Sequence, residues 1–219
     1  MSQHAKRCVF VTGATGYLGR PLVERLLERG HAVRALVRAA SASKLPASVE
    51  PVIGDALDAS TYTSRIQRGD VFVHLVGVAH PSPAKAAEFK SIDLASTVAA
   101  TENARAAGAG RFVYVSVAQP APVMKDYIEA RAAGEATVRE TGLPASILRP
   151  WYVLGPGHRW PYLLLPFYGV AWLFPGSRDT ARRLGLIRRP TMIRALIHAV
   201  ESDRPGVEIL DVATMRALQ

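Results

Sequence analysis

Three glycines near the amino terminus, Gly13, Gly16 and Gly19, have the spacing of a phosphate-binding turn. With this spacing the first glycine lets the chain turn off a strand, and the second lets backbone N–H groups approach a pyrophosphate. The third lets the next helix pack closely on the sheet, and that helix start favours an anion without a lysine. We therefore predict a dinucleotide site rather than an ordinary glycine-rich turn. Its expected contacts are Gly13, Thr15, Gly16, Tyr17, Leu18 and Gly19.

Two arginines, one on the second predicted strand and one at its end, bear on the choice of cofactor. Arg38 follows the strand 32–37, where a carboxylate would bind the ribose 2'-hydroxyl of NAD(H). An arginine instead offers a charged fork to a 2'-phosphate, and Arg34 is expected to point to the same face. This pattern predicts NADP(H) in preference to NAD(H). The alternative is a solvated charge at the end of a strand.

Further cofactor contacts are predicted after the third and fourth strands. The Asp55 carboxylate, or the backbone beside it at Ala56, is placed to accept a hydrogen bond from the adenine amino group. Gly77 ends the fourth strand, where a small residue lets the ribose and phosphate pass close to the backbone. His74 and His80 have no second ligand at metal spacing, so we interpret them as packing or loop residues and predict no metal.

The elements that must position these residues alternate between strands and helices. An apolar run at 8–12, a helical pattern ending near Gly30 and a strand at 32–37 form an opening βαβ unit. Alternation of this kind predicts an α/β fold with a parallel sheet and a single domain over 1–219. Further strands are predicted at 49–53, 70–76, 111–116, 145–149 and 207–212, and helices at 60–67, 84–107, 126–141 and 190–201.

Composition narrows the class of protein. The one cysteine, Cys8, is expected to be buried in the first strand, so disulfide support is excluded and a reducing cytoplasm is the expected location. The N-terminal residues show no apolar signal core. The net charge is +9 and the pI is about 10.1, yet no aromatic-interleaved basic motif is present. We therefore do not expect nucleic acid to be the main partner.

Several stretches together resemble the short-chain dehydrogenase/reductase superfamily. They are VTGATGYLGRPLVERLLERGHAVRALVR, GDALD, FVYVSV, YIEARAAGEATVRETGLPASILRP and WYVLGPG, within residues 7–157. The chain is similar to the atypical, NAD(P)H-binding members, which include NmrA-like proteins and complex I accessory subunits. This resemblance implies a Rossmann fold, a doubly wound parallel sheet, with 151–206 as a small C-terminal cap on the substrate side.

The resemblance also implies a catalytic group. The family uses a tyrosine as acid or base, a lysine four residues later and a serine on the preceding strand. Tyr127 and Ser116 match this pattern, but Arg131 stands in the lysine position. Arginine supplies a positive charge, but its planar guanidinium differs in size and hydration, so it is not an equivalent replacement. The alternative is that Tyr127 and Arg131 lie on an ordinary helix surface and have no catalytic role.

The stretch 160–177 contains no charged residue but three prolines, which argue against a membrane-spanning helix. We consider three alternatives for this stretch: an apolar lid over a substrate, a homodimer face, or a peripheral contact with an anionic membrane.

The preferred function is an NADP(H)-dependent oxidoreductase or isomerase acting on a small apolar carbonyl, quinone or lipid-like substrate. The second hypothesis is a non-catalytic NADP(H)-binding sensor or accessory protein, which Arg131 favours.

Overall fold

A computed structural model describes residues 5–157 and 183–218. It contains the strands β1 (Cys8–Thr12), β2 (Ala32–Val37), β3 (Glu50–Ile53), β4 (Val71–His74), β5 (Arg111–Val115), β6 (Ala145–Leu148), β7 (Tyr152–Leu154), β8 (Leu186–Arg188) and β9 (Val207–Leu210). Seven strands form a parallel sheet in the order β3-β2-β1-β4-β5-β6-β9, while β7 and β8 pair separately. The order reverses at β1, so a crevice opens between the carboxyl ends of β1 and β4. The predicted doubly wound α/β fold is confirmed.

The helices are α1 (Gly19–Glu28), α2 (Ala86–Glu88), α3 (Ala95–Ala106), α4 (Lys125–Glu140), α5 (Arg189–Glu201) and α6 (Val212–Ala217). The single helix expected at 84–107 is divided, because a π-helical turn at Phe89–Leu94 separates α2 from α3. The prediction of a helix at 60–67 is wrong. Two 3-10 turns, Ala59–Thr61 and Thr63–Arg65, occupy that place, and Asp58 caps the first of them through Ser60 N–H.

The two faces of the sheet pack against different layers because side chains alternate along each strand. Val9 and Val11 pack with Leu22 of α1, whereas Phe10 lies on the other face, 5.2 Å from Phe72 between ring centroids. Each fully buried leucine or phenylalanine contributes about 2 kcal/mol. Met192 and Leu196 of α5 belong to the same core cluster as α1. Part of the predicted cap segment 151–206 is therefore packed into the same layer as α1.

Cys8 is exposed and not buried, because it is the first residue of β1 and lies at the strand's outer end. The stretch 160–177 lies outside the described residues. Among the helices that the structure describes, none is long and apolar enough to cross a membrane.

His74 on β4 has a side chain enclosed by the core. Its ring hydrogen-bonds Thr12 Oγ1 at 2.9 Å, and it lies near the rings of Phe112 and Tyr114. Burial, with a further effect of the Arg131 charge, lowers the pKa of His74 to about 3. The folded state therefore keeps this imidazole neutral, whereas the unfolded chain protonates it near pH 6.5.

Stability is expected to fall as the pH drops from about 6.5 towards 3, because the unfolded state binds the extra proton. At pH 5 the loss from this one group is about 2 kcal/mol relative to neutral pH. Urea unfolding at pH 7 and pH 5 measures it. The variant His74→Gln should lose less stability between these two values, while His80→Gln, at an exposed position, should behave like the parent. An equal loss in all three proteins contradicts the assignment.

Candidate active site

A cavity of about 590 Å³ lies at the carboxyl edge of the sheet. The glycine turn, the chain after β4 and β5, the start of α4 and residues 150–153 form its walls. Of the predicted site residues, Gly13, Gly16, Tyr17, Leu18, Gly19, Gly77, Ser116, Tyr127 and Arg131 line it. The structure does not bring Thr15, Arg34, Arg38, Asp55 or Ala56 onto this wall. A larger groove of about 870 Å³ between α1 and α5 contains none of the predicted site residues.

The glycine turn is built by close backbone contacts. Gly13 has φ +76°, a conformation that favours glycine, and its carbonyl accepts a hydrogen bond from Gly16 N–H at 3.0 Å. A Cβ on Gly19 would overlap the Gly13 carbonyl oxygen, whereas one on Gly16 would lie 3.2 Å from it. No side chain caps α1 at Leu18. Arg20 N–H donates to the Gly16 carbonyl at 3.1 Å and Pro21 has no N–H, so the start of the helix offers an anion the Gly19 N–H and the positive end of the helix dipole. A cofactor pyrophosphate fits this turn.

Tyr17 joins the glycine turn to two distant segments. Its hydroxyl donates to the Val153 carbonyl at 3.3 Å, and the Arg189 guanidinium lies over its ring at 5.3 Å. A Cβ on Gly155 would overlap the Tyr17 hydroxyl, so Gly155 makes room for this ring. Sequence reasoning found neither Gly155 nor Arg189, because no local pattern connects them to residue 17.

Arg34 is placed differently from the prediction. Its Nη2 lies 2.6 Å from both carboxylate oxygens of Asp70, and its side chain is 9% exposed. Asp70 immediately precedes β4, at the amino edge of the sheet, and this buried charge attracts the arginine away from the carboxyl edge. The expectation that Arg34 faces a 2'-phosphate is thereby corrected. Arg38, directly after β2, is exposed.

Asp55 lies in an exposed turn after β3. Its carboxylate accepts a hydrogen bond from Leu57 N–H at 3.0 Å, and its own N–H donates to Thr61 Oγ1 at 3.0 Å. These bonds hold the backbone of the turn, including Ala56, in a defined conformation. A contact of Asp55 and Ala56 with adenine stays a prediction.

Arg131 is buried and paired with Asp93, a residue that sequence reasoning missed. The Arg131 Nη2 lies 2.5 Å from Asp93 Oδ1, and Nη1 donates to the Val115 carbonyl at 3.0 Å. Burial alone would lower the pKa of Arg131, but nearby Tyr127, Tyr114 and Asp93 raise it above its ordinary value. The guanidinium is therefore charged, and it lies over the Tyr127 ring at 5.3 Å.

The need for a glycine at residue 77 follows from this ion pair, in addition to the expected approach of a cofactor. A Cβ at residue 77 would overlap Arg131 Nη2 and would lie 3.2 Å from Asp93 Oδ1. The adjacent N–H of Val78 donates to Asp93 Oδ2 at 2.9 Å. The chain after β4 thus closes tightly over the Asp93–Arg131 pair.

The three predicted catalytic residues differ in their access to the cavity. Tyr127 is partly exposed and packs on Phe89 with ring centroids 5.0 Å apart. Ser116 and Arg131 are 3% and 6% exposed, and the Ser116 hydroxyl donates to Glu135 at 2.6 Å. Glu135 was also missed, although its place four residues after Arg131 puts it on the same face of α4. Tyr127 therefore offers the most accessible acid or base of the three.

Comparison with known proteins agrees with this geometry. A family model described as NAD(P)H-binding matches residues 13–158. The chain belongs to the NAD(P)H-binding, atypical part of the short-chain dehydrogenase/reductase superfamily. Ceramide reductase of Caulobacter vibrioides is 37% identical over 161 residues, which cover 72% of this chain and 50% of that protein. The chain thus spans about half the length of this relative.

Other relatives are also reductases by name. The 3-diazoavenalumate denitrifying reductase of a Streptomyces species is 36% identical, covering 68% of this chain and 57% of that protein. Among solved structures, WbmH of Bordetella bronchiseptica in complex with NAD+ superimposes with a TM-score of 0.69 at 21% identity. It is matched over 93% of this chain and 75% of that chain, and the likeness shows a shared fold.

Removing one partner of the Asp93–Arg131 pair should destabilise the protein strongly, because the other charge stays buried without compensation. Asp93→Leu is expected to lower the free energy of unfolding by about 3 to 5 kcal/mol. The double variant Asp93→Leu/Arg131→Met should recover most of this loss, since it buries no charge. Urea denaturation of the two single variants, the double variant and the parent gives the coupling free energy. Additive losses would show that the two residues act independently.

Proposed function

We propose that the protein is an NADP(H)-dependent oxidoreductase that acts on a small apolar carbonyl, quinone or lipid-like substrate. The observation that carries this proposal is one cavity that unites the glycine turn with Tyr127. Pro150, Trp151 and Val153 give the same cavity an apolar wall. NADPH supplies a hydride when it is bound. The names of relatives such as ceramide reductase and a farnesyl-dihydroquinoline-oxide ketoreductase of Stigmatella aurantiaca support an apolar substrate.

Tyr127 is the proposed proton donor to the substrate oxygen. It is the first-turn residue of α4 that borders the cavity, and its ring packs against both Phe89 and Arg131. The guanidinium faces the ring and shares its charge with Asp93, so it stabilises a developing phenolate less than an unpaired cation would. We therefore expect slower turnover than in family members with lysine at this position.

Loss of the Tyr127 hydroxyl is the direct test of this role. Tyr127→Phe should lower kcat at least about 100-fold, the usual contribution of a positioned general acid, with nearly unchanged NADPH affinity. Turnover is followed by NADPH absorbance over a panel of apolar ketones and quinones. Tyr62→Phe is the matched control, because Tyr62 is buried beside Phe10 in the core and away from the cavity. Full activity of Tyr127→Phe would rule out the tyrosine as the acid.

Arg38 is the proposed determinant of NADP(H) preference. Its exposed side chain directly follows β2, where the ribose of the adenosine half is expected, and Arg34 is already held by Asp70. A single arginine can still make charge-assisted hydrogen bonds to a 2'-phosphate.

Arg38→Ala is expected to weaken NADPH binding by about 1 to 3 kcal/mol and to leave NADH binding unchanged. Calorimetric titration with both cofactors measures the difference. The control Arg68→Ala removes an exposed arginine near Gly108, at the opposite edge of the sheet, and should alter neither affinity. If the parent binds NADPH and NADH equally well, the proposed preference is excluded.

A non-catalytic NADP(H)-binding sensor or accessory protein is the second candidate. It is favoured by the fact that Ser116 and Arg131 are both bonded to buried carboxylates. Tight NADPH binding without oxidation by any member of the ketone and quinone panel would support it over the reductase. In that case Tyr127 contacts the ligand and transfers no proton.

A further inference from the structure

A buried polar cluster lies beneath the end of β5. The Ser116 hydroxyl is 2.6 Å from Glu135 Oε1, which also accepts from Gln119 Nε2 and Arg149 Nε, each at 2.8 Å. Arg149 Nη2 makes a further bond to Oε2 at 2.5 Å. Ser116 and Glu135 are 3% and 4% exposed, and Ser116 borders the cavity. The serine is thus the point where this cluster reaches the cavity wall.

Charge fixes the direction of the hydrogen bond between Ser116 and Glu135. Burial would raise the pKa of Glu135, but hydrogen bonds from Arg149, Ser116 and Gln119 hold it below its ordinary value. The ionised carboxylate can only accept, and a serine has a single O–H group. Ser116 is therefore the donor, and its remaining hydrogen-bonding capacity is that of an acceptor.

This direction restricts what a ligand can offer at Ser116. A carbonyl oxygen there would compete with a buried carboxylate for one proton, and the charge-assisted bond is the stronger one. A ligand O–H or N–H group instead meets a serine lone pair. The role implied by the family pattern, in which the serine fixes the carbonyl oxygen, needs a donor that Ser116 does not provide.

We infer that Ser116, held as an acceptor by Glu135, selects substrates that carry a hydroxyl or amide N–H beside the carbonyl facing Tyr127. This inference rests on the proposed function. It makes Glu135 a positioning residue, which acts on the substrate through the serine. The substrate class is then a hydroxyketone or an amide-bearing ketone with an apolar remainder.

The test compares two probes, acetophenone and α-hydroxyacetophenone, which differ by one hydroxyl group. Their binding to the NADP+-saturated protein is measured by NMR titration, so the result does not depend on turnover. We expect the hydroxyketone to bind about tenfold more tightly, as one buried neutral hydrogen bond allows. Ser116→Ala should abolish the preference by weakening the hydroxyketone alone. Ser146→Ala should keep it, because Ser146 is buried on β6 and its hydroxyl has no partner among the described residues.

Glu135→Gln tests the positioning role of Glu135 by changing Ser116 from an acceptor to a donor. A glutamine amide can donate to Ser116, which frees the serine proton for a ketone. We expect tighter acetophenone binding and a preference reduced to about unity. If this variant fails to fold because Arg149 loses its partner, the Ser116→Ala comparison decides the question.

Three results overturn the inference: equal binding of the two probes by the parent, binding of neither probe, or a loss of acetophenone affinity in Ser116→Ala. Failure of the proposed function has a different signature. In that case NADPH is not oxidised with either ketone, while the preference for the hydroxyl group persists in binding.

Discussion

The contact between the start of α1 and the glycine turn is the constraint on which the site depends. Gly19 lies so close to the Gly13 carbonyl that a side chain at residue 19 would overlap it. This approach places the start of α1, which no side chain caps, at the crevice between β1 and β4. Because Gly13 also abuts the backbone of Leu75 after β4, both sides of the crevice are fixed by the same few atoms.

The floor of the cavity is held by buried charges and not by apolar packing alone. Asp93 with Arg131 and Glu135 with Arg149 are two ion pairs in which the carboxylates are 0% and 4% exposed. Such pairs gain little stability over apolar residues, but breaking one is costly, so their geometry is strongly enforced. The charge of Arg131 is thereby paired with Asp93, and the hydroxyl proton of Ser116 is bonded to Glu135. The chemistry at the cavity surface depends mainly on Tyr127.

Tyr17 extends this organisation to the far wall. Through Val153 and Arg189 it connects the glycine turn to β7 and to the start of α5. The same side chain therefore contacts the glycine turn and the apolar wall of the cavity.

The sequence by itself determined the alternating elements, the glycine turn, the family and the shared face of Tyr127 and Arg131, because these features depend on residues within a few turns of one another. The tertiary structure decided which charges meet. Arg34 pairs with Asp70 across 36 positions, and Ser116 with Glu135 across 19. A residue's type states that it needs a partner when it is buried, but only the folding of the sheet brings a particular partner to it. For that reason the sequence could locate the buried polar residues but not their roles. The role of Arg34 depends on Asp70. The role of Ser116 depends on Glu135, and that of Arg131 on Asp93.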